Sequence, residues 1–172
     1  DEETGAMQTG FVNHHGNDYF YDMYGRMQYD EQPIDGYWYY FDPIYGTMAK
    51  GWTNHHGHRY YYDENGHMQY GEQNIEGVGY YFHPITGVMQ TGWLNRDSKK
   101  YYYTSNGIVK GEKSLDGYWY YFDETTGEMR TGFVNHHDHD YYYDEYGRMQ
   151  YDEQPINGYW YYFDPIYGTM AK

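Results

Sequence analysis

Residues 36–48 read Gly-Tyr-Trp-Tyr-Tyr-Phe-Asp-Pro-Ile-Tyr-Gly-Thr-Met, and residues 158–170 repeat this stretch without change. The run of five aromatic residues at 37–41 favours a β-strand. The dipeptide Asp35-Gly36 predicts a tight hairpin turn before that strand, and Asp42-Pro43 begins a further turn. No segment of the chain shows a 3.6-residue apolar period longer than two helical turns, so the sequence predicts an all-β fold.

This stretch belongs to a unit of about 41 residues that occurs four times. Residues 11–50 and 133–172 are identical at 35 of 40 positions, which indicates recent duplication. The chain therefore reads as one continuous array, excised from a longer one. Its expected divisions are a tail of a preceding repeat at 1–9, then repeats at 10–50, 51–91, 92–131 and 132–172.

Each unit divides into two halves of about 20 residues, and each half reads as a β-hairpin. An isolated hairpin of this length is only marginally stable. Stacking about eight of them would bury a continuous core, so the halves predict a β-solenoid of stacked hairpins.

The composition alone is typical of a disordered chain, because only 21 of 172 residues are Leu, Ile, Val or Phe and the formal charge is −15. The 29 tyrosines and 5 tryptophans provide the alternative core, since a buried aromatic ring removes on the order of 150–250 Å² from water. The absence of an apolar run of about 18 residues predicts no membrane span. The acidic balance argues against a nucleic-acid partner, and the lack of cysteine excludes disulfides.

The recurring patterns Gly-Trp…Tyr-Tyr-Tyr-Asp-x-x-Gly-x-Met and Gly-x-Trp-Tyr-Tyr-Phe-Asp-x-x-x-Gly-x-Met resemble the choline-binding or cell-wall-binding repeat. The resemblance covers the chain from about Met7 to Lys172. Relatives of this kind occur in bacterial autolysins and phage lysins, in glucan-binding regions of glucansucrases and in clostridial toxins. The resemblance implies a left-handed superhelix of hairpins with aromatic ligand sites between consecutive hairpins.

Strand alternation places Trp38 and Tyr40 on one face, and Tyr39 and Phe41 on the other, where they are expected in the core. The resemblance implies ligand cages that combine the first face with the Gly-Trp position of the next hairpin. The expected ligand-binding residues are Trp38, Tyr40 and Trp52; Trp119, Tyr121 and Phe133; Tyr81 and Trp93, at a junction degraded by Gly79; and Trp160 and Tyr162.

Alternate halves carry a charged residue at the tryptophan position, namely Asp18, Arg59, Lys100 and Asp140. A glutamate occupies the partner position of the half that follows each of them. We therefore expect a charged pair instead of a cage at these junctions, and one aromatic site per 41 residues. Phenylalanine replaces tryptophan at Phe11 and Phe133, which weakens the choline assignment specifically and leaves cell-wall or glucan binding in place.

Ten histidines concentrate in the turns of the odd halves. Adjacent imidazoles can bind zinc, nickel or copper, so His55, His56, His58, His136, His137 and His139 are weak metal candidates. We expect them instead to be solvated turn residues. Protonation of all ten histidines near pH ~6.5 would move the formal charge from −15 toward −5 and strengthen binding or self-association in mild acid.

The sequence contains no catalytic motif for a serine, cysteine or zinc hydrolase and no phosphate-binding loop. We expect no catalytic residue, no cofactor and no enzymatic activity in this region. The expected function is a cell-wall or carbohydrate-binding module that anchors a larger secreted or phage lytic enzyme to the surface of a Gram-positive bacterium. The expected partner is teichoic-acid choline, wall polysaccharide or glucan, and the aromatic ends at Phe11 and Trp160 suggest end-to-end self-association. The alternatives are glucan-binding repeats of a glucansucrase and a structural or adhesive spacer without a small-molecule site.

Overall fold

The computed structural model describes residues 5–171, which form seventeen short β-strands and no helix. The strands pair in chain order into eight sheets, seven with two strands and one with three. The strands are β1 Gly10–His14, β2 Asn17–Tyr21, β3 Asp30–Ile34, β4 Tyr37–Phe41, β5 Gly51–His55, β6 His58–Tyr62, β7 Gly71–Ile75, β8 Val78–Phe82, β9 Gly92–Arg96, β10 Lys99–Thr104, β11 Gly107–Ile108, β12 Gly111–Leu115, β13 Tyr118–Phe122, β14 Gly132–His136, β15 His139–Tyr143, β16 Asp152–Ile156 and β17 Tyr159–Phe163.

Two-residue turns close the hairpins. In β3–β4 the turn is Asp35-Gly36, with φ of 50° and 86°, and in β5–β6 it is His56-Gly57, with φ of 50° and 77°. Positive φ at both turn residues matches the right-handed twist of the strands. The turns predicted at Asp35-Gly36 and Gly57 are therefore confirmed. Asp42 also begins a turn as expected, because its Oδ1 accepts hydrogen bonds from the backbone N–H groups of Ile44 and Tyr45.

Aromatic side chains form the core. The last aromatic residue of the second strand is almost fully buried in seven successive hairpins: Phe41, Tyr62, Phe82, Tyr103, Phe122, Tyr143 and Phe163. Tyr39 is 5% exposed and lies on the same face of β4 as Phe41. The expectation that these two residues belong to the core is confirmed, and rings at intervals of about 20 residues replace the missing aliphatic side chains.

The described residues divide into two compact units, one with the residues up to Ile75 together with Tyr80–Gln90, the other with Glu76–Gly79 together with the residues from Thr91 onward. Within each unit a backbone hydrogen bond joins the segment after one hairpin to the second strand of the preceding hairpin. Met48 and Met68 donate to the carbonyl oxygens of Asp18 and Trp38 in the first unit, and Met129, Met149 and Met170 donate to those of Lys100, Trp119 and Asp140 in the second.

The prediction of an all-β chain of stacked hairpins is confirmed. The left-handed superhelix and the repeat boundaries stay predictions, although β1, β5, β9 and β14 begin at the glycines that open the four repeats. The predicted tail at 1–9 lies partly outside the described residues. Among residues 5–171 there is no helix long and apolar enough to cross a membrane.

Candidate functional site: aromatic grooves

The Trp38 groove lies in the first unit. Its volume is about 370 Å³, and Trp38 at its wall is 43% exposed. Glu31 comes from the same hairpin as Trp38, whereas Tyr60 and Met68 come from the next hairpin along the chain. The complete lining is Glu31, Trp38, His58, Tyr60, Met68, Tyr70, Ile85, Thr86 and Val88.

The Trp119 groove in the second unit has the same plan. Its volume is about 160 Å³, and Trp119 is 44% exposed. Glu112 stands where Glu31 stands in the first groove, and Met149 takes the place of Met68. The lining is Glu112, Trp119, Met149, Tyr151, Ile166 and Tyr167. Two grooves therefore combine an exposed indole with a carboxylate.

The Trp93 groove, also in the second unit, carries the opposite charge. Its volume is about 250 Å³, and its lining is Trp93, Asn95, Lys100, Tyr120, Met129 and Tyr146. Trp93 is 43% exposed and meets the Tyr120 ring at a centroid distance of 5.1 Å. We expected a charged pair without aromatic rings where Lys100 precedes Glu112, and that expectation is wrong for this groove. Lys100 shares it with the indole of its own hairpin.

The Trp52 indole is already covered by a cation of the protein. The guanidinium carbon of Arg59 lies 4.0 Å from its ring centroid. Trp52 also packs edge-on against Tyr61 and Tyr80, at centroid distances of 5.2 and 4.7 Å. Phe133 occupies the corresponding place in the second unit, where it contacts Tyr142 and Tyr161.

The structure does not bring Trp38, Tyr40 and Trp52 into one groove. Tyr40 shares a face with Trp38, but its ring stacks on His55 at 4.0 Å. Trp52 packs toward the following hairpin. Tyr121 and Phe133 are separated from Trp119 in the same way, because Tyr121 stacks on His136 at 4.3 Å. In each groove the charged residue lies diagonally opposite the indole on the ladder of the same hairpin. In β3–β4, for example, Pro33 pairs with Trp38, and Glu31, two residues before Pro33, pairs with Tyr40.

The other expected ligand residues lie apart from these three grooves. Tyr81 is half-buried, whereas Trp160 and Tyr162 are 72% and 49% exposed. Ile108 occupies the space beside Gly79 that a side chain would need, because a Cβ at position 79 would lie 3.2 Å from Ile108 Cγ2. That the expected residues bind a ligand stays a prediction.

The histidine turns are partly buried, and the expectation that they are solvated is wrong for His55 and His136, each 6% exposed. The His55 ring lies between the rings of Tyr40 and Tyr60, each at 4.0 Å and almost parallel to it. Its Nε2 lies 2.9 Å from Tyr62 Oη. Strand alternation was the signal in the sequence that could have shown this burial. Each histidine is the last residue of the first strand of its hairpin, and it lies on the same face as the buried tyrosines of the second strand.

His136 repeats this environment in the second unit. It stacks on Tyr141 at 4.0 Å, and its Nε2 lies 3.0 Å from Tyr143 Oη. Burial lowers the pKa of both His55 and His136 to about 4, with a smaller contribution from the adjacent histidine. Burial also raises the pKa of Tyr62 above its ordinary value. Both histidines are therefore neutral near pH 6.5, and they do not join the charge change expected for all ten.

The other four metal candidates are exposed. His56 and His137 are the first residues of two turns. His58 and His139 begin β6 and β15 and pair with His55 and His136 across their ladders. His58 also lines the Trp38 groove.

Two family models match parts of the chain. The model described as choline-binding repeat matches residues 30–70 and 49–89, and the model described as cell wall binding repeat matches residues 113–129 and 156–165. No match is found among curated protein sequences.

Several solved structures are similar. Choline binding protein F from Streptococcus pneumoniae is 26% identical with a TM-score of 0.85, over 96% of this chain and 58% of that one. The choline-binding domain of CbpL from the same organism is 26% identical with a TM-score of 0.63, over 95% of this chain and 87% of that one. A multimodular pneumococcal cell wall endolysin from phage Cp-1, complexed with choline, is 30% identical with a TM-score of 0.50, over 72% of this chain and 37% of that one.

This chain thus spans little more than half of choline binding protein F and about a third of the endolysin. The stacked hairpins, the repeat spacing and the matches to both models all indicate the same kind of repeat. The repeats of this chain, over the residues that the models match, belong to the choline-binding and cell-wall-binding repeat families.

Proposed function

We propose that the chain binds quaternary ammonium groups of a bacterial wall polymer, such as choline, in the Trp38 and Trp119 grooves. The observation that carries this proposal is the pairing of an exposed indole with a carboxylate, Glu31 or Glu112, in each groove. A quaternary ammonium cannot donate a hydrogen bond, so aromatic faces and a nearby negative charge are the groups suited to hold it.

Each groove supplies only a weak interaction. A cation over an aromatic ring is worth ~0.5–2 kcal/mol, so one groove alone would bind a monomeric ligand poorly. Two grooves on one chain would bind a polymer that carries many ammonium groups with much higher avidity. The formal charge of −15 would also favour the approach of a cationic polymer segment.

The wider role that follows is attachment to the bacterial cell surface. The similar structures include choline-binding proteins and a wall endolysin bound to choline. Because this chain spans only part of several of them, we propose that it is the non-catalytic anchoring region of a larger secreted or phage lytic protein. We expect one such cation site in each repeat that has a tryptophan at the position of Trp38.

A sugar ring is the second candidate ligand, and the Trp93 groove favours it. Lys100 in that groove would repel a cation. An indole face suits the apolar face of a pyranose, and Asn95 and Lys100 offer hydrogen-bond donors to its hydroxyl groups. A glycan of the wall, or a glucan, would fit this groove better than choline.

The test is a choline titration of the full chain and of three single variants, Trp38→Ala, Trp119→Ala and Trp93→Ala, followed by calorimetry or by two-dimensional NMR of the indole N–H groups. We expect Trp38→Ala and Trp119→Ala each to remove one binding event, whereas the Trp93→Ala control keeps both. Retention on choline-bearing walls should fall in the double variant Trp38→Ala/Trp119→Ala. Unchanged choline binding in that double variant would refute the proposal. Retention on dextran alone would favour glucan binding, and no binding to either would favour a structural spacer.

A further inference from the structure

Two clusters of potential metal ligands, one in each unit, lie where consecutive hairpins meet. Each contains a glutamate from one hairpin and a pair of adjacent histidines from the next: Glu31, His55 and His56 in the first unit, and Glu112, His136 and His137 in the second. Within each cluster the ligand atoms all lie within 4.8 Å of one another.

The spacing in the first cluster is close to that of a tetrahedral metal site. His55 Nδ1 and His56 Nδ1 are 3.4 Å apart, and His55 Nδ1 and Glu31 Oε1 are 3.8 Å apart. Zinc–nitrogen bonds of about 2.0–2.1 Å at a tetrahedral angle place neighbouring ligand atoms about 3.3–3.4 Å from each other. An ion would therefore fit between the two nitrogens with little movement of the rings.

The surroundings of His55 direct its Nδ1 toward this point. Two tyrosine rings clamp the imidazole, and its Nε2 lies 2.9 Å from Tyr62 Oη. An Nε2–H that donates to Tyr62 leaves the lone pair of Nδ1 facing His56. Histidine ligands of metals usually make such a hydrogen bond with their other nitrogen, because it fixes the tautomer and the orientation of the ring.

Asp30 lies beside His56, with His56 Nε2 3.3 Å from Asp30 Oδ1. That oxygen is shielded from water and has no hydrogen-bond partner among the described residues, His56 included. A small turn of the imidazole would let its Nε2–H donate to this carboxylate and would leave Nδ1 of His56 free to bind an ion. Asp30 also has a φ of 62°, at the position where β5, β9 and β12 begin with glycine.

We propose that Glu31, His55 and His56 bind a transition-metal ion of the zinc class, which links hairpin β3–β4 to hairpin β5–β6. Glu112, His136 and His137 form a second and weaker site. Two imidazoles and one carboxylate suit zinc, copper or nickel and not calcium or magnesium, which prefer oxygen ligands alone. The second site is weaker because Gly111 occupies the position that Asp30 has in the first site. His137 therefore lacks the neighbouring carboxylate that would orient the equivalent residue, His56.

This proposal does not rest on choline or glycan binding, and zinc chloride alone is the probe. The chelator-treated full chain is titrated with zinc at pH 7.5 by calorimetry, and X-ray absorption reports the ligands of the bound ion. The variants are Glu31→Gln and His56→Asn, both conservative at exposed or half-exposed positions, because asparagine tolerates the positive φ of His56. The matched control is His15→Asn, the same change at the same turn position of hairpin β1–β2, which is exposed and outside both clusters.

The native chain should bind two zinc ions with unequal affinity, with nitrogen and oxygen ligands at about 2.0–2.1 Å. Glu31→Gln and His56→Asn should each abolish the tighter event, and His15→Asn should keep it. Asp30→Gly should weaken the tighter event by about 10- to 100-fold, the usual effect of removing such an orienting group. Circular dichroism checks that each variant is folded. Equal zinc binding by the native chain and His56→Asn, or loss of binding in His15→Asn, would overturn the proposal.

Discussion

The guanidinium of Arg59 lies 4.0 Å above the centre of the Trp52 ring, on the aromatic surface that a ligand cation would otherwise use. The Trp38 groove has a glutamate instead of such a cation. Neighbouring hairpins thus differ in whether the face of their indole is covered by a cation of the protein.

This relationship predicts that Arg59→Gln uncovers a further cation site. Removal of the guanidinium frees the Trp52 face and its cation–π attraction, which is worth about 0.5–2 kcal/mol. A choline titration of the variant should therefore show a new shift of the Trp52 indole resonance. Lys110→Gln removes the same charge from an exposed position and should leave that resonance unmoved. An unperturbed Trp52 signal in Arg59→Gln would show that the guanidinium does not block the site.

The contact between Gly66 and Met48 predicts that an added methyl group lowers stability, because the end of the flexible Met48 side chain must shift to admit it. A Cβ at Gly66 would lie 2.6 Å from Met48 Sδ, whereas a Cβ at Gly57 would meet no atom within 4 Å. Both glycines have positive φ, 83° and 77°, so both alanine variants carry the same backbone strain of about 1–2 kcal/mol. Denaturant unfolding should show Gly66→Ala to be less stable than Gly57→Ala by a further ~1–3 kcal/mol. Equal stabilities would mean that Met48 moves away at no cost.

Buried histidines predict that the chain loses stability in mild acid when no metal is present. The pKa of His55 and His136 is lowered to about 4 in the folded chain, against about 6.5 when unfolded. Their stabilising effect is complete above pH 6.5 and is lost as the pH falls from 6.5 to 4, by at most about 3 kcal/mol for each histidine. The charged or ionisable groups that face His55 are Asp30, Glu31, His56 and His58.

The measurement is the melting temperature between pH 7.5 and 4 with a chelator present, for the native chain and for His55→Gln/His136→Gln. The double variant keeps all the other titrating groups, so the difference between the two curves isolates the buried pair. The native curve should fall more steeply. Parallel curves would contradict the lowered pKa values.

The hydrogen bond between Tyr62 and His55 predicts that the hydroxyl group stabilises the fold. Tyr62 is fully buried, and its Oη is 2.9 Å from His55 Nε2. Tyr62→Phe leaves a buried imidazole nitrogen without its partner and should lower the free energy of unfolding by about 1–3 kcal/mol. Tyr61→Phe, one residue away on the half-buried face, should cost less than about 0.5 kcal/mol. A Tyr62→Phe variant as stable as the native chain would show that the hydrogen bond has no net effect.

Much of the fold was predictable from the sequence because the repeat supplies the same local information eight times. Dipeptides such as Asp35-Gly36 specify tight turns, and alternation along Trp38–Phe41 separates the buried face from the exposed one. These are short-range effects of backbone conformation and strand geometry.

The composition of the grooves was less predictable, because it depends on which hairpin supplies each neighbour. Strand alternation and the family resemblance suggested Tyr40 and Trp52 as partners of Trp38, whereas the structure places Glu31, Tyr60 and Met68 beside it. A diagonal contact within one ladder and a contact with the next hairpin look alike in a repeating sequence.

By itself, then, the sequence determined the hairpins, their turns, the aromatic core and the resemblance to wall-binding repeats. Only the tertiary structure decided that Arg59 covers Trp52, that Glu31 shares a groove with Trp38, and that His55 is buried between Tyr40 and Tyr60. The physical reason is that turns and strand faces follow from residues close in sequence. The Arg59–Trp52 and Glu31–Trp38 contacts run diagonally across a single hairpin ladder, whereas the stacking of His55 on Tyr40 and the candidate metal ligation join consecutive hairpins. A periodic sequence does not distinguish between these two kinds of contact.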